Sequence, residues 1–188
     1  MCSTSLKKPL AEASMAFSAA ATSPIIPPSS PASSVSDSMS EPSVAPLNRK
    51  LKVMIVDDNT VNLTILARLL NKHFSDMIQL TSVMNSGVSA LDQLSKDEVD
   101  LILMDIDMPV LSGVQTTTLI RNDNEEHHIL QQNKNVPIIA VTTSDGEAQR
   151  ELYRQVGMSD CVSKPIAVPK LRSAIEEAIK AVPRLATG

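Results

Sequence analysis

The chain has 188 residues, 43% of them hydrophobic and 20% charged, which is enough to bury one core of ordinary size. A formal net charge of -4, a pI near 5.4 and only Phe17, Phe74 and Tyr153 as aromatics argue against a nucleic-acid surface or a stacking platform for single strands. No apolar run approaches the ~20 residues that span a bilayer, and Cys2 and Cys161 make no disulfide framework, so the expectation is a cytoplasmic chain, with the nucleus as a second compartment.

Residues 1–48 are rich in Ser, Pro and Ala, with clusters such as SPIIPPSSPASS, and show no sustained period; this predicts a disordered tail. Ser23-Pro24 and Ser30-Pro31 suit a proline-directed kinase, although such pairs also arise by chance in any tail of this composition. LNRK at 47–50 marks the border, after which one domain is read over 49–183 and a short C-terminal tail over 184–188.

From Leu51 the texture changes to short apolar runs alternating with helical patterns, the signature of repeated βα units. LKVMIV, 51–56, is a first strand ending at Asp57 and Asp58; Asn59 or Thr60 then caps a helix with Val61, Ile65, Leu66, Leu69 and Leu70 at helical spacing. MIQLTS, 77–82, reads as the second strand, and Asn85 or Ser86 opens a helix carrying Val88, Leu91 and Leu94. The third strand begins LILMDIDMP, 101–109: four apolar residues without alternation, as on a strand covered on both faces, then Asp105, Asp107 and Pro109, which cannot continue a ladder. A helix from about 112 to 122 follows, weakened by Thr116, Thr117 and Thr118, and then a polar connection over 123–135. VPIIAV, 136–141, is a fourth strand ending at Thr142, with a helix over 146–155 and Gly157 past its end. A short fifth strand, 160–163, ends at Lys164-Pro165, and the last helix starts near Pro169 with Leu171, Ile175, Ala178 and Val182 on one face.

This alternation predicts an α/β fold, a doubly wound five-stranded parallel sheet of the (βα)5 kind with helices on both faces. The commonest order, 2-1-3-4-5, puts the switch point between the strands that end in Asp57-Asp58 and in Asp105. Thr142, Thr143 and Lys164 reach the same sheet edge from strands four and five. Two carboxylates about 4 Å apart repel by about 4 kcal/mol at an effective dielectric near 20, so three together are costly without a cation. Oxygen ligands with no His or Cys nearby point to Mg2+. The plain alternative, an acidic patch in solvated loops, does not account for acids, hydroxyl and amine at matching strand ends. A metal with open positions, a hydroxyl and a fixed ammonium suit a phosphoryl group, which the Asp105 carboxylate would attack in line to form an acyl phosphate. Thr142 would donate a hydrogen bond to the incoming phosphoryl oxygen and drag the start of the next helix, and that is a switch.

VDDN, MDIDMP, AVTTS and SKP, in that order, resemble the receiver domains of two-component response regulators over residues 51 to about 182. The resemblance implies a flavodoxin-like fold, Asp105 as phosphoacceptor, Mg2+ held by Asp57, Asp58, Asp105 and the main-chain carbonyl of Asp107, and Thr142 and Lys164 on the phosphoryl group. It also implies a histidine phosphotransfer protein or hybrid histidine kinase as donor and a downstream effector that the sequence does not name, with neither nucleic acid nor membrane as partner. The DDNTVN opening and the Ser/Pro tail look most like fungal receivers, and the layout is similar to stand-alone fungal stress response regulators.

Three positions before Lys164, where the family commonly has Tyr or Phe, stands Cys161, so an aromatic rotating there cannot read out the switch. A small buried strand residue is the plain reading of Cys161 and a redox-sensing thiol the sharper one. His127 and His128 are adjacent, diverge on any regular element and are read as a solvated connection; His73 is read as a helix-end surface residue. Leu152 and Tyr153 are candidates for an exposed partner face, against an ordinary packed helix. Two further readings compete with the phosphorelay receiver. A haloacid dehalogenase-like phosphatase shares the apolar-DxD pattern of 101–107, but wants it on the first strand with further acids downstream. A receiver-like adapter without phosphate turnover sits poorly with the intact set of Asp58, Asp105, Thr142 and Lys164.

Overall fold

The short apolar runs do become strands, because each can hide both of its faces only inside a parallel sheet. The computed structural model describes residues 49–122 and 127–181; the readings on 1–48, on 184–188 and on Val182 lie outside them. β1 (Leu51–Val56), β2 (Ile78–Met84), β3 (Leu101–Asp105), β4 (Ile138–Thr142) and β5 (Asp160–Ser163) alternate with α1 (Thr60–His73), α2 (Gly87–Leu94), α3 (Gly113–Arg121), α4 (Glu147–Gln155) and α5 (Val168–Lys180). All strand pairs are parallel and the order is β2-β1-β3-β4-β5, the expected doubly wound arrangement.

Successive strand residues point to opposite faces, so each strand feeds two cores. Val53, Ile55, Leu101, Leu103, Ile139 and Val141 pack with Leu66 and Leu70 of α1 and Leu171 and Ile175 of α5. Met54, Val56, Ile102, Met104, Ile138 and Ala140 pack on the other face with Leu91 and Leu94 of α2, Ile120 of α3 and Tyr153 of α4. β3 and β4 are buried at every position, as their unbroken apolar runs require.

Helix starts follow the capping chemistry. The Asn59 side chain accepts from the amides of Val61 and Asn62, that of Ser86 accepts from Ser89, and Ser112 with Gln115 makes a reciprocal capping box. That box, and the burial of Thr116 and Thr117 against the core, hold α3 despite its poor intrinsic propensity.

Several sequence expectations are corrected. The face that α1 buries is Leu63, Leu66 and Leu70; Val61 and Ile65, expected in the stripe, are exposed because the docking angle on the sheet selects the neighbouring row of the helix. Val88 is exposed for the same reason, α2 turning Ala90, Leu91 and Leu94 inward. β2 runs to Met84 rather than residue 82, since pairing with β1 continues to Val56 after an irregularity in which Thr81 is the extra residue and donates its hydroxyl to the Val53 carbonyl at 3.2 Å. The polar connection after α3 is anchored in its described part: Ile129 is buried, Gln131–Asn133 form one 3-10 turn, and buried Asn133 accepts from the Val99 amide and donates to the carbonyls of Leu94 and Asp97. Tyr153 is buried, and only Leu152 of the pair reaches the surface.

Candidate functional site

Four strand ends bring polar groups to the carboxyl edge of the sheet. β1 ends in Asp57, which is buried; its Oδ1 accepts from the Asn59 amide at 2.9 Å and from Asn62 Nδ2 at 3.1 Å. The same asparagine that caps α1 thus also fixes the first acid, a double duty that the VDDN spacing concealed. β3 ends in buried Asp105. The chain then leaves the sheet through Ile106 and Met108, both buried, and Val110, which is 95% exposed with φ 66. It returns at Gly113, whose amide donates to the Ile106 carbonyl at 3.0 Å.

β5 delivers the cation. Ladder pairing continues one residue past the strand, the Lys164 amide donating to the Thr142 carbonyl at 2.7 Å, and this aims the side chain across the ends of β4, β3 and β1. Lys164 Nζ donates to Asp105 Oδ1 at 2.7 Å and to Asp57 Oδ2 at 2.8 Å. The two acids hold the Lys164 ammonium above its ordinary pKa against the opposing effect of burial. Burial raises the Asp105 carboxyl above its ordinary value, and the Lys164 ammonium pulls back against that rise.

Asp58, exposed at the rim, completes an acidic triad: Asp57, Asp58 and Asp105 each offer a carboxylate oxygen, all within 4.8 Å of one another. Three carboxylates facing one ammonium leave two net negative charges in a half-buried pocket of hard oxygen donors. That donor set fits a divalent cation of the Mg2+ kind, which takes few carboxylates and keeps several waters.

The Asp107 carboxylate stands outside this triad; it is exposed and accepts from Thr143 Oγ1 at 3.3 Å, bridging the loops after β3 and β4. Thr142 is fully buried, and its hydroxyl is engaged away from the triad: Oγ1 accepts from the Ser144 amide at 3.0 Å, donates to the Ser144 carbonyl at 3.3 Å and lies 3.4 Å from the Tyr153 hydroxyl. Sequence reasoning missed Asn62 and Tyr153. The first sits at the i+3 position from the cap and was legible in principle; the second depends on how α4 docks and was not. Cys161 is buried on β5 with its thiol pushed up by burial, which suits the packing role rather than a reactive thiolate. His73 is exposed at the end of α1, and His128 is exposed in the connection.

Residues 53–176 match the family described as the response regulator receiver domain. The polar-differentiation response regulator DivK of Brucella ovis is 37% identical over 128 residues, which cover 66% of this chain and 92% of that protein. The chain belongs to the response regulator receiver family. Among solved structures, this receiver is similar to the receiver domain of a Pseudomonas aeruginosa sensor histidine kinase crystallised with a magnesium ion coordinated in the active site cleft. That likeness has 28% identity and a TM-score of 0.58, covering 71% of this chain and all of that one. It is likewise similar to the receiver domain of a Saccharomyces cerevisiae response regulator solved with its histidine phosphotransfer protein (28%, TM-score 0.58, 71% of this chain and 93% of that one). A phosphoaccepting response regulator receiver is a signalling protein rather than a conventional enzyme, which removes the dehalogenase-like phosphatase reading. The order of the strands agrees, the DxD lying on β3 and not on β1. Among the described residues, no helix is long and apolar enough to cross a membrane.

Proposed function

We propose that this receiver takes a phosphoryl group from a phosphohistidine of a histidine phosphotransfer protein or hybrid histidine kinase onto Asp105, and signals through the altered contacts of the phosphorylated form. The observation that carries this reading is the joint grip of Lys164 on Asp57 and Asp105, closed by Asp58 into a pocket for one divalent cation. The yeast receiver solved with its phosphotransfer protein supports the class of donor.

Mg2+ would be held by Asp57, Asp58, Asp105 and the main-chain carbonyl of Asp107, and when bound it supplies positive charge to the phosphoryl oxygens. A carboxylate oxygen of Asp105 attacks phosphorus in line with the leaving imidazole nitrogen; the P–N bond breaks, a P–O bond forms and the imidazole departs. Lys164 loses its ion pair with Asp105 as that carboxylate becomes an acyl phosphate, and its ammonium turns to a phosphoryl oxygen. Thr142 leaves Ser144 and donates its hydroxyl to another. Hydrolysis by water at phosphorus returns the carboxylate, so the same site resets itself. A role in stress signalling rests on the fungal look of the DDNTVN opening and the Ser/Pro tail alone.

The test is labelling of the purified full chain with Mg2+ and acetyl phosphate, read by intact mass. One labile phosphoryl group per chain is expected, and Asp105→Asn abolishes it. Labelling that survives the substitution removes Asp105 as acceptor, and a wild-type chain that never labels favours the adapter without phosphate turnover.

A further inference from the structure

The Tyr153 hydroxyl is buried among groups that belong to the switch. It donates to the Ser144 carbonyl at 3.1 Å and lies 3.4 Å from Thr142 Oγ1, so three groups of the segment after β4 and one residue of α4 form a closed set of hydrogen bonds. Each hydroxyl has one proton: that of Thr142 goes to the Ser144 carbonyl, and that of Tyr153 is shared between the Ser144 carbonyl and Thr142 Oγ1. Ser144 is bounded on its other side by Asp145, whose carboxylate accepts from Ser163 Oγ on β5 and from Arg150 of α4. The segment 142–145 is therefore tied at both ends, and Tyr153 is where α4 grips its middle.

We propose that Tyr153 is the positioning residue that holds Thr142 in its resting orientation and couples its release to α4. This rests on the reading of Asp105 as the phosphoryl site. When Thr142 turns to a phosphoryl oxygen, its bonds to Ser144 and Tyr153 break together, because both converge on one hydroxyl. The Tyr153 hydroxyl then loses its contact with Thr142 and keeps the Ser144 carbonyl alone, so Tyr153 and the turn of α4 that carries it follow Ser144 as the segment rearranges. β5 places Cys161, with no hydroxyl and no ring, beside this set, and the aromatic part of the switch is supplied from α4 instead. Tyr153 thus acts through Thr142 and touches neither the phosphoryl group nor the metal.

The chain has one tyrosine and no tryptophan, so its tyrosine absorbance and emission report Tyr153 alone. The full chain in Mg2+ is titrated with beryllium fluoride, the probe for a phosphoryl group at Asp105, with binding followed separately by fluorine NMR. The tyrosine signal is expected to change and to saturate at the same midpoint as binding. Tyr153→Phe keeps the ring and removes the hydroxyl, so it should tighten beryllium fluoride binding by roughly three- to tenfold, the size of one net hydrogen bond lost from the resting form. In a Thr142→Ala background the same change should have less than about a twofold effect, since the hydroxyl that Tyr153 restrains is gone. Merely structural damage would not tighten binding. Bound probe with an unmoved tyrosine signal, or Tyr153→Phe with unchanged or weaker affinity, overturns the proposal while leaving Asp105 as the acceptor. Failure of the probe to bind the wild-type chain overturns the phosphoryl-site reading and this inference with it.

Discussion

Replacing Lys164 by Met keeps most of the side-chain volume and removes the charge that Asp57 and Asp105 share. Both carboxylates are almost fully buried, their side chains 4% and 5% exposed, so water cannot take over the role of the ammonium. Breaking one partner out of a buried ion pair costs about 3–5 kcal/mol. The Lys164 side chain is 20% exposed, which moves the expectation to the low end, about 3 kcal/mol at neutral pH. The loss depends on pH with a definite sign. Asp105 already has a folded-state pKa raised above 3.8, so the folded chain holds that proton more tightly than the unfolded one, and stability falls as pH rises through the raised value. Without Lys164 the rise grows, so the deficit of Lys164→Met is small near pH 4 and fully developed at neutral pH. A divalent cation in the triad restores the missing charge, and saturating Mg2+ should recover at least about 1 kcal/mol more in the variant than in the wild type. Urea unfolding at acid and neutral pH, each with Mg2+ and with chelator, measures all of these quantities. A variant that loses less than about 1 kcal/mol at neutral pH, or one whose loss is the same with and without Mg2+, would refute the electrostatic account of the pocket.

Gly113→Ala sets a Cβ 2.2 Å from the main-chain oxygen of Asp105 and 3.0 Å from the Ile106 Cα, atoms that cannot rotate away. It should cost about 2–3 kcal/mol in urea unfolding and slow labelling by acetyl phosphate, because relief comes only by moving the acceptor or the start of α3. Arg121 donates to the carbonyls of Lys134, Val136 and Gly157, and burial lowers its guanidinium to about 10. Arg121→Met should lose about 2–3 kcal/mol of stability while leaving the labelled fraction at saturating donor unchanged. The Asp145 carboxyl is held below 3.8 by the Ser163 hydroxyl and then by Arg150. Its contribution is present above the unfolded value and disappears as pH falls through the folded one, and Ser163→Ala should move its titration upward in carboxyl-resolved NMR.

The order of elements and the acids, threonine and lysine at the ends of β1, β3, β4 and β5 were legible because each rests on local chemistry: unbroken apolar runs, Asn59, Ser86 and Ser112 as caps, and Pro109 and Pro165 as stops. What misled was periodicity where two rows of a helix are both apolar. Val61 and Ile65 satisfy the helical period as well as Leu63 and Leu70 do, and only the angle at which α1 meets β1 and β2 decides which row is covered. The connection after α3 looked solvated from its composition, whereas Asn133 lies at its heart because three backbone groups of the α2–β3 segment need it.

The sequence by itself determined that Asp57, Asp58, Asp105, Thr142 and Lys164 stand at one edge of a parallel sheet, since a strand's end is set by the residues that stop it and right-handed crossovers leave one arrangement of such ends. Only the tertiary structure decided what those side chains touch across the fold: that the Lys164 ammonium bridges Asp57 and Asp105, and that Thr142 meets a buried Tyr153. Rotamers and helix docking angles follow from packing among residues far apart in the chain, and no local pattern encodes a contact between positions eleven or more residues apart.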